Sequence, residues 1–331
     1  MRVWLLLFLI VATVGISAGC HSSTSAPSGP TPIPTSSIRS GADEVAYGDD
    51  FTVGLGTIYC GVSGTGPCAT SANVPGVSAG VNPTGWAQRF GGALASNPRW
   101  APSASIILGV NGALSGSAPL PEGSGGDLLA NTGQFGNLVT LTSAIRSTNI
   151  RMIVVVQSGI NDVFDAFYSG LCTGAGGTLV GGGNATVAAP CTASGTTLAP
   201  GGNPRSGTLY NAFRSMLANM NNLVGGAPEA CLIVGVPDVG SLPYSVANFT
   251  AGQRATLTAD SQQANAAMQD AIADATQKAV AFVDWYSFFA ANPAYYTTTY
   301  YASDLFHLND QGYAVLEGLV FQTFTTAFPT F

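Results

Sequence analysis

Short runs of consecutive apolar residues alternate along the chain with longer segments in which apolar positions recur every three or four residues. The runs cover 44–48, 105–110, 151–156, 231–236 and 279–284. A strand covered on both faces must be apolar at successive positions, so each run predicts a buried strand. The periodic segments cover 86–96, 134–147, 209–222, 257–277 and 310–324, and predict helices. Within 257–277, Leu257, Ala264, Met268, Ala271, Ile272 and Ala275 make one apolar stripe, and Thr256 or Thr258 could cap its start. Strand alternating with helix predicts an α/β fold, a three-layer α/β/α sandwich around a five-stranded parallel sheet with right-handed crossovers. Ligands in such sheets bind beyond the carboxyl ends of the strands.

Two stretches break the pattern, 58–85 and 168–207. Both are rich in Gly, Ser and Thr. Long insertions of this kind form functional rims or lids. The glycines of 174–183 do not form a phosphate loop, because no Gly-Lys-Ser/Thr follows. Charged residues make up only 8 % of the 331, the net charge is −7 and there are 42 glycines. With so few cations there is no basic patch to neutralise phosphates, which argues against nucleic acid.

The amino end reads as an address. Residues 1–19 have a positive start at Arg2, an apolar stretch and small residues at Ser17-Ala18-Gly19, the layout of a signal peptide. Cys20 follows at once, which resembles a bacterial lipobox and implies lipid on Cys20, although Ser17 stands where a Leu is usual. Residues 20–41, rich in Ser, Thr and Pro, predict a flexible tether, leaving 42–331 as one domain. An exported chain can form disulfides. Cys60–Cys68 and Cys172–Cys191 would each staple one of the Gly-rich insertions, while Cys231, in an apolar run, is expected as a buried free thiol. No cysteine or histidine cluster points to a metal, and no cofactor is expected.

The chemistry lies where the strands end. The first run leads into Gly48-Asp49-Asp50-Phe51-Thr52-Val53-Gly54, a strand delivering one side chain to a glycine-spaced turn. After the second comes Gly109-Val110-Asn111-Gly112, after the third Gly159-Ile160-Asn161-Asp162, and near the end Asp304-Leu305-Phe306-His307. Taken singly these have bland readings: a turn glycine, an Asx turn, a histidine satisfied in the core. In this order they resemble the blocks of the SGNH (GDSL) hydrolases, esterase- and lipase-like enzymes with a flavodoxin-like fold. The resemblance implies that His307 is the base, oriented by Asp304, and that Gly112, Asn161 and the backbone of residue 50 supply the oxyanion hole. The stretch Val234-Gly235-Val236-Pro237-Asp238 is similar to one in the lipase-like branch and favours an ester or lipid substrate.

One position departs from the family. Its nucleophilic serine would stand at residue 50, where this chain has Asp50. A carboxylate attacking an ester carbonyl gives a mixed anhydride, and it brings no proton for His307 to remove. Four readings stay open. In the first, the chain descends from an ester hydrolase and retains weak turnover or none. In the second, it is a catalytically silent lipid- or glycan-binding protein. In the third, Asp50 attacks an alkyl carbon, as carboxylates do on other scaffolds. In the fourth, Asp50 or His307 activates water. Thr52, two residues on, would be aimed elsewhere. The expected substrate is an ester, a lipid or an acylated glycan. The expected location is the periplasmic or cell-surface side of a bacterial membrane, or outside the cell if Cys20 carries no lipid, and a monomer is expected.

Overall fold

The computed structural model describes residues 41–53, 84–101, 105–108, 115, 138–139, 142, 145, 150–171, 196–223, 225–276 and 279–331, with backbone alone at 50, 53 and 169–171. Its centre is a parallel sheet. The strands are β1 (Ala42–Gly48), β2 (Ser105–Ile107), β3 (Arg151–Gln157), β4 (Ala230–Val234) and β5 (Val280–Val283). They lie side by side in the order β2-β1-β3-β4-β5, five strands among the described residues. The register runs unbroken from Ala42 opposite Arg151 to Gly48 opposite Gln157. β3 and β4 read as continuous apolar sequence because almost every side chain on them is buried, whichever face it points to. The edge strands β2 and β5 are less covered.

Helices follow the strands. They are α1 (Asp50–Val53), α2 (Trp86–Ser96), α3 (Ile160–Leu171), α4 (Thr208–Met220), α5 (Pro243–Asn248), α6 (Ala251–Ala273), α7 (Trp285–Ala290) and α8 (Asp310–Ala327). α2 packs on β1, β2 and α8, while α6 packs on α3, α4 and β5, so helices form a layer on each side of the sheet. α2 buries Trp86, Ala87, Phe90, Gly91 and Leu94, one stripe at helical spacing. Gly91 lets that helix approach closely: a Cβ there would stand 2.5 Å from the Ser105 Cβ and 2.6 Å from Glu44 Oε2. Cys231 is a buried free thiol, and burial pushes its pKa up to about 12.

Several boundaries differ from the sequence reading. α6 is capped by Thr250 rather than by Thr256 or Thr258. Thr250 Oγ1 accepts from the Gln253 N–H, and Gln253 Oε1 accepts from the Thr250 N–H, a reciprocal capping box. The first turns of α6 are mostly solvent-facing and polar, so the apolar stripe begins only at Leu257. Thr256 instead bonds the Gly252 carbonyl, and Thr258 donates to Asp238. β4 stops at Val234, because Val236 is held by a side chain: the Asn265 amide accepts from its N–H and donates to its C=O, each at 2.9 Å. β2 stops at Ile107. The stretch 168–207 is not a bare loop throughout: it begins inside α3, and short 3₁₀ turns occupy Pro200–Gly202 and Pro204–Ser206. Of 134–147, Leu138, Val139, Thr142 and Ile145 are described, and all are helical. The expected signal peptide 1–19, nearly all of the tether 20–41, Cys20, Cys60, Cys68, Cys172, Cys191 and most of the insertion 58–85 lie outside the described residues. Among the described residues no helix is long and apolar enough to cross a membrane.

Candidate active site

β1 ends at Gly48, where the chain turns sharply against its neighbour. A Cβ on Gly48 would stand 1.7 Å from the Gln157 carbonyl oxygen at the end of β3, so no side chain fits. The Asp49 N–H donates to that same carbonyl at 3.1 Å. Asp49 Oδ1 then accepts from the Phe51 N–H at 3.1 Å, folding the chain into α1. Thr52 donates its hydroxyl to Gln157, 3.0 Å from Oε1 and 3.3 Å from the carbonyl oxygen. Its hydroxyl is therefore turned inward and buried, which removes it as a substitute nucleophile. Residue 50 heads α1 at the carboxyl end of the sheet, and its side chain lies outside the described residues.

Phe51 ties this corner to the far end of the chain. Its buried ring meets Trp285 at 5.5 Å, Phe306 at 5.4 Å and His307 at 5.4 Å between centroids. The imidazole of residue 307 thus sits against Phe51, just beyond the tip of the first strand and 256 positions away from it in sequence. The turn that carries it is cross-braced. Tyr301 and Leu308 form an antiparallel bridge, the Ala302 N–H donates to the His307 carbonyl, and the Tyr244 N–H donates to the Leu305 carbonyl. Asn309 clamps the exit: its amide donates to the Thr299 and Tyr301 carbonyls, and its oxygen caps α8 through the N–H groups of Gln311 and Gly312.

Asp304 is the centre of that turn. Its Oδ1 accepts from the Phe306 and His307 N–H groups, each at 3.0 Å, and its Oδ2 lies 2.5 Å from His307 Nδ1. Partial burial works to raise the Asp304 pKa. The hydrogen bond and charge of His307 and the two backbone N–H groups outweigh it, so the carboxyl lies below its ordinary value. Leu305 takes φ 62°, a left-handed conformation unusual for a side chain with a Cγ branch, to complete the turn. With Nδ1 held by Asp304, His307 Nε2 is buried and makes no hydrogen bond to any described residue.

Asn161 is the second residue of α3, immediately beyond β3. It lines a cleft of about 300 Å³ with Asp304, Phe164, Tyr168, Tyr244 and Phe306. Asn161 and Asp304 therefore share the lining of one cleft, and His307 is bound to Asp304 behind it. The next residue, Asp162, points the other way. It is buried and accepts from the Ser115 N–H at 3.0 Å and the Ser115 hydroxyl at 3.0 Å, and Ser115 Oγ lies 2.8 Å from Ser158 Oγ. Burial raises its pKa to about 7 against the lowering effect of Ser115. Asp162 thereby ties the segment that follows Gly112 to the helix that carries Asn161. Gly112 itself lies outside the described residues.

The sequence reading missed α3, although Ile160, Val163, Phe164 and Phe167 carry the helical spacing that would have found it. It also missed Phe51, Asn265 and the aromatic walls of the cleft. Asp238, in the stretch that suggested a lipase-like substrate, is occupied structurally. It accepts from Gly240 N–H, Ser241 Oγ and Thr258 Oγ1. Among the described residues no group of His, Cys, Asp or Glu is placed to hold a metal ion.

The site so far is a parallel α/β/α sandwich with a histidine hydrogen-bonded to Asp304 near the carboxyl rim and Asn161 beside Asp304 on one cleft. The match of residues 46–315 to the model of the GDSL-like lipase/acylhydrolase family covers most of the chain, and the chain belongs to that family. No curated protein matches it. Among solved structures it is similar to LAE5, an alpha/beta hydrolase enzyme from the metagenome of Lake Arreo, Spain, at 11 % identity and TM-score 0.45, over 88 % of this chain and 96 % of that one. It is also similar to a structural-genomics protein from Lactobacillus plantarum, at 16 % identity and TM-score 0.41, over 87 % and 98 %.

Proposed function

We propose that this chain is a carboxylic ester hydrolase by descent whose turnover is impaired because Asp50 stands at the position of the attacking serine. Asp304 holds His307 as the base, and Asn161, Gly112 and the residue 50 N–H form the oxyanion hole. With a serine at 50, its Oγ would attack the ester carbonyl carbon while its proton passes to His307 Nε2. The hole would hold the oxyanion, and the departing alcohol would take the proton back. Water would then repeat the two steps and release the acid. Asp50 interrupts this at the start. It has no proton to give, its acyl adduct is an anhydride, and its charge competes with the oxyanion for the same donors.

The observation that carries the reading is the contact of the Asp304-bound His307 ring with Phe51, the residue next after Asp50 in the chain. The test is Asp50→Ser assayed on p-nitrophenyl acetate. Losing a triad nucleophile removes about 10⁶ in rate, so the variant should gain at least ~10³-fold over the parent. A folded Asp50→Ser protein with no gain overturns the proposal.

Asp50 itself favours the second reading, a silent lipid- or glycan-binding protein that keeps the cleft. That reading requires the parent to bind an ester without consuming it. Covalent labelling of Asp50 by haloalkanes or epoxides, seen as a mass adduct, would instead support attack on an alkyl carbon. Export under the 1–19 signal, lipid on Cys20, a 20–41 tether, the pairs Cys60–Cys68 and Cys172–Cys191 and a monomeric state complete the proposal. The intact mass of the membrane-extracted protein, before and after reduction, tests signal cleavage, lipidation and the presence of two disulfides, and a peptide map without reduction tests their pairing.

A further inference from the structure

The cleft beside Asn161 has walls of an unusual kind. Phe164 meets Phe306 edge-on at 5.5 Å and Tyr244 edge-on at 6.3 Å, and Tyr168 stacks on Phe164 at 6.0 Å with an interplanar angle of 23°. Tyr244 closes the set against Phe306 at 5.9 Å. Each ring is held by its neighbours, so the walls are preorganised, and ring faces and edges prefer another ring at such spacings. The cleft, about 300 Å³, is roughly twice the ~150 Å³ that admits one benzene ring. A ring with an ester group attached would therefore fill it.

The charges sharpen the choice. Asp304 is the carboxylate on the lining and its pKa is held below the ordinary range. An anion entering the cleft would meet that charge, so a neutral ester should be admitted and a free carboxylate turned away. Asn161, on the same lining, adds a neutral polar side chain and no second charge.

We propose that the cleft formed by Phe164, Tyr168, Tyr244 and Phe306 is a subsite for the aromatic ring of a neutral ester. This rests on the ester-hydrolase reading of the site and names its substrate class. The ring could belong to the acyl part or to the alcohol part. Both present the same neutral ring to the same walls, and the test separates them.

Calorimetry on the full chain with Asp50 in place measures binding without turnover. The probes are methyl cinnamate, with the ring in the acyl part, phenyl acetate, with the ring in the alcohol part, and an aliphatic methyl ester of matched size. At least one aromatic ester should bind about tenfold more tightly than the aliphatic one, and the better of the two assigns the ring to acyl or alcohol. Cinnamate anion should bind more weakly than its methyl ester. Phe164→Leu, which keeps apolar volume and removes a ring, should weaken the aromatic ester several-fold more than the aliphatic one and so cancel most of the tenfold preference. Tyr168→Leu serves the same purpose if the first variant does not fold. Equal affinity for aromatic and aliphatic esters, or equal weakening of both by Phe164→Leu, overturns the inference. If Asp50→Ser hydrolyses p-nitrophenyl acetate yet shows no preference for the aromatic esters, this subsite falls and the hydrolase reading survives. If the aromatic ester binds preferentially but Asp50→Ser hydrolyses nothing, the hydrolase reading falls and the ring subsite stands.

Discussion

Glu44, beneath α2 near the start of β1, and Asp304, in the turn that carries His307, are carboxylates withdrawn from water to different degrees and held in opposite protonation states. Glu44 is fully buried, and burial raises its pKa to about 8, against a single hydroxyl donated by Ser105 at 2.7 Å. Asp304 keeps its charge because the N–H groups of Phe306 and His307 and the imidazole of His307 all converge on it. Asp162 lies between them, at about 7, with one N–H and one hydroxyl from Ser115. The difference teaches that burial sets how much a charge costs, while the count and charge of the donors decide whether it is kept. It also separates two settings. The carboxylate beside His307, where the proposed chemistry needs a charge, is surrounded by donors, and the one under α2 is left to neutralise itself.

The pH responses have opposite signs. Glu44 has a raised folded pKa, so its contribution to stability is full below its unfolded value, 4.5, and is lost as pH rises through about 8. Asp304 has a lowered folded pKa, so its contribution is present above the unfolded value, 3.8, and is lost as pH falls through the folded one.

The sharpest way to break the contrast is Asp304→Asn in the Asp50→Ser protein. It keeps the shape of the turn and removes the charge that orients His307, and kcat/KM should fall by about 10⁴. A loss under tenfold would mean that Asp304 is no more functional than Glu44. Next in size is Asn161→Ala in the same background, expected to cost 10²–10³ in kcat, about 3 kcal/mol, with KM little changed. A rise in KM alone would move Asn161 from oxyanion donor to binding wall. Glu44→Gln addresses the other carboxylate. Denaturant melts of the parent should show stability falling between pH 5 and 8 by up to about 1.4 kcal/mol per pH unit from this group. In the variant that slope should shrink to the share of Asp162, Asp260 and Glu317, the other carboxyls that burial raises. An unchanged slope would assign the loss elsewhere. The smallest effect belongs to Leu305→Gly, which relieves a left-handed backbone worth about 1–2 kcal/mol but frees the unfolded chain. The melting point should move by only a few degrees while activity falls through a looser His307.

Much of the scaffold was legible before any coordinates. β3 and β4 announced themselves as consecutive apolar residues because both their faces are covered, and α2 through its stripe from Trp86 to Leu94. Asp304 and His307 could be paired from spacing, since a turn of three residues is a local matter. The start of α6 could not, because Thr250 and Gln253 cap a helix whose first turns face solvent and carry no apolar signal. Asn265 was invisible for another reason: its partner, Val236, lies 29 residues away.

What the amino-acid order determined by itself is therefore whatever depends on neighbours along the chain: which runs become strands, which stripes become helices, that Gly48 ends the first strand and that Asp304 reaches His307. The presence of an aspartate at residue 50 is also a fact of sequence alone. Tertiary structure decided the rest. It brought His307 against Phe51, turned Thr52 inward onto Gln157, set Asn161 across a cleft from Asp304, and assembled Phe164, Tyr168, Tyr244 and Phe306 into one wall. Those residues come from four separate stretches of chain, and only the packing of the sheet and its two helical layers fixes the distances between them.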